Sequence, residues 1–137
     1  MSGFDIEIIK KKISEIAKKY EFLLVMLYGS HAKGMAKKES DVDIAVLGKK
    51  QFSFDQLIDL NNEFAEIFET NEIDVKSLHN TDPLFRYQVM RDGILIYGSS
   101  RDYNSFKAYA FRDYYDSQDI FKLKELIIKK RLQGVNI

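Results

Sequence analysis

An α/β (α+β) fold, a small mixed sheet flanked by helices and closed by a C-terminal helix, is predicted by three patterns in the chain. Two continuous apolar runs, residues 23–28 and 44–47, have the composition of strands buried on both faces. Segments 4–20 and 53–69 repeat apolar residues at helical spacing around those runs. A later stretch, 72–78, alternates between apolar and polar as a strand does. At 137 residues and 45% hydrophobic composition the chain is expected to form one domain with one core.

Residues 4–20 carry Ile6, Ile9, Ile13, Ile16 and Tyr20 at steps of three and four, with lysines opposite. Lys10, Lys11 and Lys12 read as the wet side of that helix, with a nucleic-acid contact as the other reading. Strand 22–28 ends in Gly29-Ser30, where the chain is expected to turn into a short helix. In 53–69, Ser53 and Gln56 fit a capping box, and Leu57, Leu60, Phe64, Ile67 and Phe68 form the buried face. Within 72–78, Ile73 and Val75 point one way and Asp74 the other. Asp82-Pro83 opens a helix that runs to about Arg91 and is stopped by Gly93. Residues 94–97 form a last short strand. Beyond it the chain turns aromatic, and KLKELIIKKRL at the end reads as a basic helix.

Composition narrows the function. Basic and acidic residues balance at 21 each, so net charge does not mark a nucleic-acid or membrane binder. The absence of cysteine excludes disulfide and thiol chemistry and suits a reducing compartment. No apolar run approaches the roughly 18 residues of a membrane span, and the start of the chain has no apolar leader region. A cytoplasmic protein is expected. His31 has no second His or Cys spaced for zinc, so it is not read as a ligand.

The chemistry concentrates at the joints of the two apolar runs. Asp41 and Asp43 fall on one strand face, roughly 7 Å apart along the strand. Such a pair can hold Mg²⁺, which one or two carboxylates and substrate phosphates usually share. Gly29 lets a ligand approach the main chain. Ser30 adds a hydroxyl at a helix start, where free N–H groups suit phosphate. Lys33 is a candidate phosphate partner or a solvated lysine. Asp74 is either on an exposed face or a third carboxylate beside the first two.

Gly29, Ser30, ten residues, then Asp41 and Asp43 stand without gap or substitution. This spacing resembles the signature of nucleotidyltransferases of the DNA polymerase beta superfamily, over about residues 1–100. The resemblance implies the nucleotidyltransferase fold, with Asp74 matching the third acid on a later strand. It implies two Mg²⁺ ions held by Asp41, Asp43 and Asp74, a triphosphate at Gly29 and Ser30, and a hydroxyl that attacks the α-phosphorus as pyrophosphate leaves. Where relatives in the superfamily often carry arginine, this chain has His31 and Lys33. Residues 101–137 are then an aromatic and basic helical extension of the same domain.

The short chain leaves no room for an acceptor domain and resembles the minimal nucleotidyltransferases paired in prokaryotes with HEPN-domain ribonuclease toxins. That resemblance implies an antitoxin that moves AMP from ATP to a tyrosine hydroxyl of a HEPN-type partner. Competing readings are a non-catalytic protein-binding antitoxin and a small-molecule nucleotidyltransferase, as in aminoglycoside modification, whose pocket a homo-oligomer could build. A polymerase would want a basic groove for its template, and no direct nucleic-acid binding is expected. The aromatic stretch points to a protein partner: seven of 18 aromatic residues fall between Tyr103 and Phe121. Phe106, Tyr109, Phe111 and Phe121 could close the core. Tyr114 and Tyr115 diverge by about 100° on a helix, so at least one is expected exposed, to dock a partner protein or a second copy.

Overall fold

A computed structural model describes residues 5–34, 41–79 and 81–135. Its elements are α1 (Ile6–Tyr20), β1 (Phe22–Tyr28), β2 (Val42–Gly48), α2 (Phe54–Phe68), β3 (Ile73–Ser77), α3 (Pro83–Asp92), β4 (Ile94–Tyr97) and α4 (Ser100–Val135). The sheet is mixed, in the order β3-β2-β1-β4. β1 pairs antiparallel with β2 and β4, and β2 pairs parallel with β3.

Local chemistry sets the boundaries. The first helix begins at Ile6, two residues after the expected start at residue 4, because the Asp5 carboxylate caps it by accepting from the Glu7 and Ile8 amides. Ser53 and Gln56 close the expected capping box at α2. Asp82 accepts from the Leu84 amide, with Pro83 opening α3. Gly93 ends α3 by a different route from the one expected of a terminal glycine. Its backbone is extended (φ −75°), and the glycine is needed because a Cβ there would strike the Val89 carbonyl.

Alternation divides the strands between two cores. On one face Val25, Leu27, Ile44 and Val46 meet Ile13 of α1 and Leu60 and Phe64 of α2. On the other, Leu24, Met26 and Ala45 meet Val89 and Met90 of α3 and Ala110 of α4. Asp43 and Asp74 belong to this second face by the same alternation.

The aromatic stretch and the basic end form one 36-residue helix. Tyr103, Phe106 and Phe111 pack against the second core. Tyr109 and Phe121 do not close it, being 50% and 59% exposed. Tyr114 is half-buried and stacks on Tyr87 at 4.2 Å, whereas Tyr115 is 56% exposed. The expectation that one of the pair faces solvent holds for Tyr115.

An ion pair ties α4 to α3. Arg86 Nη2 donates to Asp113 Oδ2 at 2.7 Å, with the arginine side chain 10% exposed and the aspartate 32%. Asp113→Ala would leave a buried guanidinium without its counter-charge. A loss of about 2 kcal/mol is expected, below the figure for fully buried pairs because Asp113 reaches solvent. Urea unfolding should show the midpoint fall at unchanged slope, and Arg86→Met should cost less than Asp113→Ala.

Candidate active site

The acids assemble through strand pairing. Tyr28, the last residue of β1, is the register partner of Asp43 on β2. Asp43 is in turn the partner of Asp74 on β3. Residues opposite each other on neighbouring strands project to the same side. One row across three strands therefore reads Tyr28, Asp43, Asp74. Asp41 lies just before β2 and is exposed.

The three carboxylates repel one another through Asp43. Burial holds the Asp43 carboxyl above the usual carboxylate range, and the charges of Asp74 and Asp41 push it further. Lys76 and His31 act in the opposite sense. Burial, then Asp43 and Asp74, also raises the Tyr28 phenol, which stays protonated at neutral pH. Among the described residues, no group of three His, Cys, Asp or Glu side chains is already drawn in around a metal position. Instead Lys76 Nζ lies 3.7 Å from Asp74 Oδ2, and Asp74 is 48% exposed.

Gly29 sits directly over this row. Its φ of +75° is in the left-handed region. A Cβ placed there would overlap Asp43 Oδ2. Two independent constraints thus require glycine, and they bring bare main chain against the central carboxylate. Gly29→Ala is expected to cost about 1–2 kcal/mol from backbone strain alone. Urea unfolding measures that loss. The displaced Asp43 carboxylate should add a loss of activity of about 10-fold to 1000-fold. A Gly29→Ala protein as stable as wild type would show that the turn can relax.

Beyond Gly29 the chain makes a single helical turn, with the Lys33 amide donating to the Gly29 carbonyl at 3.2 Å. Gly34, at φ +69°, follows, and residues 35–40 lie outside the described part. The expected short helix is, among the described residues, this one turn. It carries Ser30 next to Gly29. Lys33 Nζ lies 3.9 Å from Asp92 Oδ2 at the end of α3. Asp92 also accepts two hydrogen bonds from Arg91, at 2.7 and 3.0 Å.

Three further residues belong to the site. Lys76 shares a strand face with Asp74 and lies 5.8 Å above the Phe85 ring. Tyr28 meets Phe85 edge-on at 5.4 Å. His31 is 6% exposed and acts on Asp43. Lys76 was legible, because the alternation that singles out Asp74 places position 76 beside it.

The arrangement is an electronegative row of hard oxygen donors, next to bare main chain and the exposed Lys76 cation, at the end of a central strand. Such a row suits a divalent cation and the phosphates it carries. A cavity of about 480 Å³ opens elsewhere, at the β4 edge between Lys10, Ser14, Tyr97 and Asp102, and none of the three acids lines it.

Comparison with known proteins agrees with this geometry. Residues 11–102 match the family described as Polymerase beta, Nucleotidyltransferase. An inferred protein adenylyltransferase of Methanocaldococcus jannaschii is 29% identical over 92 residues, covering 66% of this chain and 92% of its own. A second from the same organism is 29% identical over 86 residues, covering 63% and 91%. Among solved structures, one chain of a toxin–antitoxin crystal structure with AMP-PNP superposes with a TM-score of 0.71 at 22% identity, over 90% of this chain and 98% of that one. A chain from the complex of tri-AMPylated Shewanella oneidensis HEPN toxin with MNT antitoxin gives 0.67 at 20% identity, over 93% and 98%. These structural likenesses concern the fold.

Proposed function

The chain belongs to the polymerase beta nucleotidyltransferase family, and from that premise we propose that it transfers AMP from ATP to a tyrosine hydroxyl of a HEPN-type toxin, as that toxin's antitoxin. The observation that carries the reading is the register pairing of Asp43 with Asp74 beneath Gly29. The destination is supported by the names of the two archaeal relatives and by the toxin–antitoxin complexes that share the fold.

Asp41, Asp43 and Asp74 would hold Mg²⁺, which when bound neutralises the triphosphate and acidifies the acceptor hydroxyl. The donor set fits, since all three are carboxylates and their charges already act on one another at Asp43. The Gly29 main chain and the Ser30 hydroxyl would cradle the phosphates. Lys76, released from Asp74, would pair with phosphate oxygen, and Lys33 is a second cation on the turn. The acceptor oxygen bonds to the α-phosphorus, the bond from that phosphorus to the β-phosphate bridging oxygen breaks, and pyrophosphate leaves. Asp74 stands to take the hydroxyl proton. Positioning and charge lower the barrier, with no covalent enzyme intermediate.

Residues 1–100 would then be the catalytic unit and 101–137 its helical extension, with Tyr115 free to contact the partner. Among the described residues no helix is long and apolar enough to cross a membrane; a cytoplasmic site of action is part of the proposal. The test is incubation of the purified protein with labelled ATP, Mg²⁺ and the product of the neighbouring gene. One AMP or more on a partner tyrosine, by mass spectrometry, is the expected result. A partner inhibited without modification would move the reading to a binding antitoxin. Label on an added small molecule alone would move it to small-molecule transfer.

A further inference from the structure

The outer half of α4 has no place in the fold of one chain. From residue 120 to 134 every residue is exposed. Phe121, Leu123, Leu126, Ile128 and Leu132 are between 51% and 64% exposed. Monomers rarely leave a contiguous apolar patch larger than a few hundred Å². At about 100° per residue Ile120, Leu123 and Ile127 form one apolar ridge and Phe121, Ile128 and Leu132 a second, and together they make the apolar surface of this arm. Five cations (Lys122, Lys124, Lys129, Lys130 and Arg131) and one anion, Glu125, rim it. Two such arms repel each other, so arm-to-arm pairing is disfavoured and an acidic receptor is required.

The chain itself carries that receptor. α2 has Asp55, Asp59 and Glu66 exposed and no lysine or arginine, while Glu63 is taken up by Lys19 of α1 at 3.5 Å. On its outer side Phe54 and Ile58 remain 77% and 46% exposed. It is 15 residues long, as is the arm, so both extend about 22 Å. α2 packs on one face of the sheet and α4 on the other. The receptor for an arm therefore belongs to another molecule.

We propose that residues 120–134 dock on the acidic outer face of α2 in a second copy of this chain. Apolar contact supplies affinity, and the opposed charges set register and partner choice. The proposal goes beyond the transfer reaction and does not depend on it.

Sedimentation velocity on the full chain, from about 1 to about 100 µM, brackets a dissociation constant of micromolar order. Average mass should rise with concentration and fall as salt is added. Asp59→Lys/Glu66→Lys should weaken association at least 10-fold, and so should Lys129→Glu/Lys130→Glu. All four substitutions in one chain should restore it. Leu123→Ser/Ile127→Ser should abolish it while leaving the melting curve cooperative, because both positions are solvated in the single chain. A monomer throughout the range overturns the proposal. So does association that ignores the α2 reversal, or an arm that binds only the neighbouring gene's product or anionic vesicles.

Discussion

Asp43→Asn is expected to abolish nucleotidyl transfer and yet raise the melting temperature of the ligand-free protein. Asp43 is half-buried between Tyr28 and Asp74. Its carboxyl is held above the usual range, first by burial, then by Asp74 and Asp41. The folded chain thus binds this proton more tightly than the unfolded chain does. Between the ordinary carboxylate value and the raised one, the folded state carries more protons, so stability falls as pH rises through that window. Above that window the ionised group is a net cost to folding. Asparagine keeps the shape and removes the charge. A gain of a few degrees is expected at pH 7. It should disappear at a pH below the ordinary carboxylate range, where the wild-type residue is neutral too. Transfer should drop by about 10³-fold or more. Mg²⁺ with ATP should raise the wild-type melting temperature by linkage and leave that of the variant unmoved. A variant that melts lower than wild type would show that the Asp43 charge is compensated in the empty site. A surviving Mg·ATP shift would place the nucleotide elsewhere.

What the sequence made legible was local. Ser53 with Gln56, and Asp82 with Pro83, mark helix starts through contacts two or three residues long, so the chain alone announces them. The acid row was legible in part, since alternation puts Asp43 and Asp74 on definite faces of their strands. That the two are direct neighbours depends on β2 and β3 pairing in parallel with 43 opposite 74, and no short-range pattern encodes that register. The overlap that forbids a side chain at Gly29 has the same origin. His31 looked like a bystander because its proximity to Asp43 is tertiary. The final helix read as two pieces for a different reason. Its inner half faces the second core and its outer half faces solvent, so the pattern changes where the sheet ends while the helix runs on.

Asp74→Asn separates the catalytic reading of that residue from the plain one. As an exposed strand residue, Asp74 would matter little. Its side chain is 48% exposed and its one close cation, Lys76, is 56% exposed, so the pair itself contributes little to stability. The variant should therefore fold with a melting temperature close to wild type. Its place in the row predicts a severe loss of transfer, because the acid meant to receive the acceptor proton is gone. The turnover number should fall by about 10³-fold or more. Nucleotide binding should weaken by less than about 10-fold, since the cradle at Gly29 and Ser30 is untouched. Lys76→Met is the control. It removes the same ion pair and keeps the carboxylate, and because Lys76 is also assigned to the phosphates its loss is expected mainly in nucleotide affinity, with turnover falling less than in Asp74→Asn. Single-turnover assays, with nucleotide affinity measured separately, distinguish these cases. Near-normal turnover in Asp74→Asn would return Asp74 to the exposed face of β3 and leave Asp41 and Asp43 as the whole of the acidic site.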